Sequence, residues 1–68
     1  MNTVICVNGR AADVPAGWKV TDLVDSLGYT GKRIAVEVNG QIVPKGRYAE
    51  TGLSGQDRVE IVVAVGGG

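Results

Sequence analysis

Residues 19–29 read KVTDLVDSLGY. Val20, Leu23, Val24 and Leu27 fall at i, i+3, i+4 and i+7, a spacing that aligns them on one face of a helix. Asp22 sits where the helix dipole favours a carboxylate, with Lys19 or Thr21 near the start. Gly28 suits the left-handed position that closes a helix. So short a helix is marginal alone and must be held by packing. The surface it packs on decides the fold, and that surface has to come from the segments on either side.

Those segments read as strands. TVICV (3–7) is dominated by β-branched residues and runs into Asn8-Gly9, a strong hairpin signal. AADVP (11–15) is the return strand, ended by Pro15, which cannot donate to a ladder. Beyond the helix, RIAVEVNG (33–40) alternates Ile34, Val36 and Val38 with Ala35 and Glu37, then turns at Asn39-Gly40 into QIVP (41–44). The two copies of VNG read as similar turns and not as a duplicated unit, because their flanks differ. PKGRYAETGLSGQD (44–57) is an irregular connection with a tight turn at 54–57, anchored by Tyr48 and Leu53. RVEIVVAV (58–65) is a long strand, with Val59, Ile61, Val63 and Val65 on one face and Arg58, Glu60, Val62 and Ala64 on the other.

The expected class is α+β: a mixed sheet in chain order β-β-α-β-β-β, with one helix across one face. The inward set comprises Ile5 and Val7, the helix stripe, Ile34, Val36 and Val38, and Val59, Ile61 and Val63. Trp18, just before the helix, is expected at the core edge, against the alternative of exposure for binding.

Sixty-eight residues make one domain, with 44% hydrophobic residues to form a single core. A chain this short buries only about 60% of its unfolded surface, so modest stability is expected. Seven Lys and Arg balance seven Asp and Glu, and no basic stripe marks a nucleic-acid binder. No apolar run is long enough to span a membrane, and MNTVICVNG lacks the charged start of a signal peptide. A cytoplasmic location is therefore expected. With one cysteine, Cys6, and no histidine, the chain excludes an internal disulfide, a Cys-rich zinc site and the common His-based nucleophilic devices. Cys6 reads as an ordinary partly exposed thiol. Asp22 and Asp25 read as a first-turn charge and a solvated position, not as a metal or acid–base pair.

In this order the segments resemble the ubiquitin-like β-grasp fold and, more narrowly, the ThiS family, the thiamin-pathway sulfur carriers. The carrying features are VNG (7–9), VTDLVDSLG (20–28), VEVNGQIVP (36–44), Arg47-Tyr48 and DRVEIVVAVGGG (57–68), which together span essentially the whole chain. One departure is local. The family commonly places glycine directly before the Asp that opens the last strand, whereas here the order is Gly55-Gln56-Asp57.

The resemblance implies a β-grasp domain over 1–65 and a flexible glycine tail over 66–68. It implies that the carboxylate of Gly68 is adenylated with ATP by a ubiquitin-activating-type, ThiF-like adenylyltransferase and then converted to a thiocarboxylate. The sulfur comes from cysteine through a desulfurase or another persulfide donor, and a ThiG-like thiazole synthase takes it for the thiazole ring. Gly66 and Gly67 are recognised along the partner's channel. The carrier itself binds no cofactor and catalyses nothing.

Elementary chemistry agrees with this division of labour. A terminal carboxylate titrates near about 3.3–3.7, so at neutral pH it is ionised and a poor electrophile. The chain has no P-loop or dinucleotide fingerprint with which to activate it. Glycines lack Cβ and admit close backbone approach, and three of them reach about 10 Å when extended. Three other readings stay open on sequence: a related carrier for molybdopterin or cysteine synthesis, a ubiquitin-like modifier forming isopeptide bonds, and a binding module with an inert, frayed tail.

The sheet face away from the helix is expected to carry Val4, Cys6, Ala35, Val62 and Ala64, rimmed by Glu37, Arg58 and Glu60. An apolar patch with a polar rim often marks an interface, so partner enzymes are expected to dock there, against the alternative of scattered small apolar residues.

Overall fold

β1 (Asn2–Val7) and β2 (Arg10–Pro15) pair antiparallel through the Asn8-Gly9 turn. Both turn residues have positive φ, 50° and 83°, as a type I′ hairpin requires. The second pair, β3 (Ile34–Val38) and β4 (Gln41–Val43), turns the same way at Asn39 and Gly40, with φ of 52° and 84°. The last strand, β5 (Arg58–Val63), inserts between the hairpins, parallel to β1 and antiparallel to β3. The sheet order is β2-β1-β5-β3-β4, with Pro15 on an edge strand as its missing N–H demands. This computed structural model describes residues 1–64. Val65 and the 66–68 tail, and with them the expected strand end and domain boundary, lie outside the described residues.

The helix α1 (Val20–Ser26) lies against the face formed by the inward residues of these strands. At its start, the Asp22 carboxylate accepts the Lys19 N–H at 2.8 Å. The Lys19 ammonium only donates, so the reverse bond runs between backbones, from Asp22 N to Lys19 O at 3.0 Å. At its end, Gly28 N donates to Asp25 O and Tyr29 N to Val24 O, both at 3.1 Å, with Gly28 at φ 77°. Those two bonds and the left-handed glycine make a Schellman motif.

That motif corrects one expectation. The spacing puts Leu27 in the core stripe, but the helix ends at Ser26 and Leu27 is 42% exposed at its C-cap. The chain doubles back there, and Tyr29 packs against the core instead. Val63, also expected inside, is half-buried on the last rung of the β3–β5 ladder. Val7, Ile34 and Val38 are half-buried against the core.

The buried core is Ile5, Val14, Val20, Leu23, Val24, Val36, Leu53, Val59 and Ile61. Val14, paired with Thr3 on β2, was not anticipated. Leu53 and Tyr48 anchor the irregular segment as expected, one buried and the other half-buried against the core. A 3-10 turn (Lys45–Arg47) leads into Tyr48, and Trp18 closes the core edge, its carbonyl accepting Leu53 N–H at 2.8 Å.

Candidate functional site

β5 is the last strand before the glycines, and both hairpin asparagines grip it. Asn8 Oδ1 accepts the Ile61 N–H at 2.7 Å, Asn8 Nδ2 donates to Ile61 O at 3.1 Å, and Asn8 N donates to Val59 O at 2.8 Å. The parallel β1–β5 ladder is short, and the Asn8 amide continues it as a substitute peptide group. From the other side, Asn39 Oδ1 accepts the Arg58 N–H at 2.9 Å and Asn39 N donates to Arg58 O at 2.7 Å. Asn39 Nδ2 also donates to Asp57 Oδ1 at 3.0 Å. The two VNG motifs therefore share a second role that local sequence did not disclose.

The turn before β5 is built as expected over 54–57, with Asp57 N donating to Ser54 O at 3.1 Å and Ser54 N to Asp57 Oδ2 at 2.8 Å. Gln56 takes φ 66°, the conformation glycine tolerates best, and its N–H donates to Val4 O at 2.7 Å. At Gly55, one place earlier, a Cβ would lie 3.0 Å from Thr3 Oγ1, a tight contact that glycine avoids. At the far end of β5, Ala64 N donates to Arg33 O at 2.9 Å, so Ala64, the last described residue, sits beside Arg33.

The outer sheet face holds the expected residues but does not gather them. Val62 faces Ala35, Glu60 faces Glu37, and Arg58 stands beside Cys6. Val62 is 64% and Val4 53% exposed. Six residues of strand register separate them, about 20 Å at the rise of a strand, with Arg58 and Glu60 between. The face therefore has two small apolar ends, and Ile42, 72% exposed on β4, adds an apolar side chain directly opposite Glu37. Ala35, Val62 and Ala64 lie toward the end of β5, and Val4 with half-buried Cys6 lie far from it. Between them, Glu37 and Glu60 stand directly opposite each other, a pairing that costs stability in a sheet.

Sequence reasoning also missed a groove on the helix side. Its walls are the C-terminal half of α1, residues 29–34 and the 3-10 turn, and it encloses about 320 Å³. Tyr29, Tyr48, Val24 and Ile34 line it, with Lys32, Arg33 and Lys45. Lys32 Nζ lies 5.9 Å from the Tyr29 ring centre. The signal was present in sequence as two tyrosines and three cations, but scattered over three segments. Among the described residues, no group of three or more Cys, Asp or Glu is placed to hold a metal ion, and no helix is long and apolar enough to cross a membrane.

Comparison with known proteins accords with this frame. A family model described as the ThiS family matches residues 3–68. The crystal structure of a thiamine biosynthesis protein (ThiS) from Geobacter metallireducens superposes with a TM-score of 0.80, at 30% identity and 100% coverage of both chains. A protein named uncharacterized protein ycf40, from Porphyra purpurea, is 33% identical over 67 residues, covering 98% of this chain and 94% of its own. A thiazole synthase from Paramagnetospirillum magneticum is 38% identical over 64 residues, 94% of this chain. The matched stretch is 20% of that synthase, so this chain spans about one-fifth of its length. With a five-stranded β-grasp sheet, one helix across it and a family match that runs from β1 into the glycines, the chain belongs to the ThiS family of small ubiquitin-like sulfur carriers.

Proposed function

We propose that this chain carries sulfur for thiamin biosynthesis as a thiocarboxylate on Gly68. The single observation that carries the reading is that the ThiS match extends through the last three glycines and does not stop at the folded domain. A partner adenylyltransferase joins the Gly68 carboxylate to the adenylyl group of ATP, releasing pyrophosphate. The outer sulfur of a cysteine-derived persulfide then attacks the activated carbon and expels AMP, leaving an acyl disulfide, and a thiol cleaves its S–S bond to give the thiocarboxylate while itself being oxidised to a disulfide. The chain supplies the carboxylate and a tail slim enough to enter the partner's site, and the partner supplies the phosphate-binding chemistry.

Thiazole synthase is the proposed acceptor. This is supported by proteins of that name, from Paramagnetospirillum magneticum and Magnetococcus marinus, that contain a stretch similar to nearly all of this chain. The part of the sheet face nearest the tail, Ala35, Val62 and Ala64, is the proposed contact for the adenylyltransferase.

Reconstitution tests the reading. The chain is incubated with its adenylyltransferase, ATP, a persulfide donor and a thiol reductant, and its intact mass is followed. Replacement of one oxygen by sulfur is expected, and it is expected to vanish when Gly67 and Gly68 are deleted. Conjugates on lysines of other proteins would point instead to a modifier. Sulfur found anywhere but Gly68, for instance on Cys6, would reject the carrier chemistry proposed here.

A further inference from the structure

The groove between α1 and the 3-10 turn has no role in the chemistry above, yet it opens beside the end of β5. Arg33 lines it, and the Arg33 carbonyl accepts the Ala64 N–H at 2.9 Å. Its floor is apolar and aromatic, with Tyr29 and Tyr48 half-buried against the core. Its rim carries Lys32, Arg33 and Lys45, all exposed. Asp25 is the one acid among the described lining residues, and its carboxylate accepts the Thr30 hydroxyl. An aromatic floor inside a charged rim is the anatomy of a protein-docking pocket. The half-open shape suits a chain segment better than a small molecule, which needs most of its surface enclosed.

We propose that this groove seats an acidic segment of thiazole synthase, one apolar side chain of which rests on the tyrosine floor. The proposal rests on the thiazole-synthase reading above. Charge complementarity selects the occupant. The chain has zero net charge, but its charges are unevenly placed: on the outer sheet face Glu37 and Glu60 stand with Arg58, whereas the groove sets three cations against the single acid Asp25. An acidic segment is drawn to the groove more than to the sheet face, which orients the encounter as well as strengthening it. Held there, the synthase has the end of β5 against it, and about 10 Å of extended glycine reaches its active site.

Titration calorimetry of the whole chain against purified thiazole synthase, at low and at physiological salt, tests this. The charge reversal K32E/K45E is expected to weaken binding by about tenfold or more and to flatten its salt dependence, since exposed charges are screened within about 8 Å at physiological ionic strength. K32R/K45R is expected to bind like the parent. Ala49→Trp, which fills the groove from an exposed lining position without changing charge, is expected to weaken binding while leaving the salt slope in place. Circular dichroism confirms that each variant is folded. Equal binding by the parent, K32E/K45E and Ala49→Trp overturns the groove and leaves the carrier reading intact. Failure of the parent chain to bind any thiazole synthase overturns both the groove and the thiazole assignment.

Discussion

Asn8 serves its turn with its backbone and β5 with its side chain. The first role was legible, because Asn-Gly between β-branched runs specifies a type I′ hairpin. The second was not, because its partner Ile61 is 53 residues away and nothing local encodes that contact. Asn8→Ala leaves the Ile61 N–H without its acceptor and puts a Cβ-bearing residue with no local hydrogen bond at positive φ. We expect it to cost about 1–3 kcal/mol in urea unfolding, with Asn8→Gly, which relieves only the backbone, recovering part of the loss. Gln56 presents the opposite case, a non-glycine residue at φ 66° where glycine fits better. Gln56→Gly is expected to stabilise the fold by up to about 1 kcal/mol in the same experiment, and a destabilisation would show that its side chain holds the turn.

The helix shows how far a periodic pattern can be trusted. Val20, Leu23 and Val24 are buried as their spacing requires, but the fourth member of the stripe is not. Periodicity describes an endless helix, whereas this one has seven residues and a Schellman end that replaces Leu27 with Tyr29 on the core. Gly28 marked where the helix would stop, and a closer reading of that signal would have removed Leu27 from the core. The two leucines should therefore separate in thermal or chemical unfolding. Leu23→Ala is expected to cost about 2–5 kcal/mol, a large part of the 3–10 kcal/mol or so available to a domain of this size. Leu27→Gln is expected to change stability by less than about 0.5 kcal/mol. Val14 escaped notice because only one large apolar residue of β2 faces inward, too little to register as alternation.

At the scale of the molecule, the strands and their chain order could be read from turns and alternation, but the sheet order could not. The insertion of β5 between the hairpins joins segments far apart in sequence, and neither turns nor alternation encode it. The same gap applies to the sites. The residues expected to dock partners lie on the outer face, yet register spreads them along it, and only Ala35, Val62 and Ala64 lie toward the end of β5. Val62→Glu is accordingly expected to leave the circular dichroism spectrum unchanged and to raise the KM for adenylation several-fold. Unchanged kinetics would remove that end of the sheet from the adenylyltransferase interface. A charge at Val4, about 20 Å away along the strands, is expected to have no such effect.

The central claim is that sulfur travels on the last glycine. Intact mass spectrometry of the protein isolated from cells that are making thiamin, with backbone fragmentation to locate the change, tests it most directly. The account predicts a fraction of molecules in which one oxygen is replaced by sulfur, confined to Gly68 and lost when the adenylyltransferase is deleted. A population that carries only the ordinary carboxylate while thiamin synthesis proceeds, or a polypeptide that continues past Gly68 in the working protein, would contradict it.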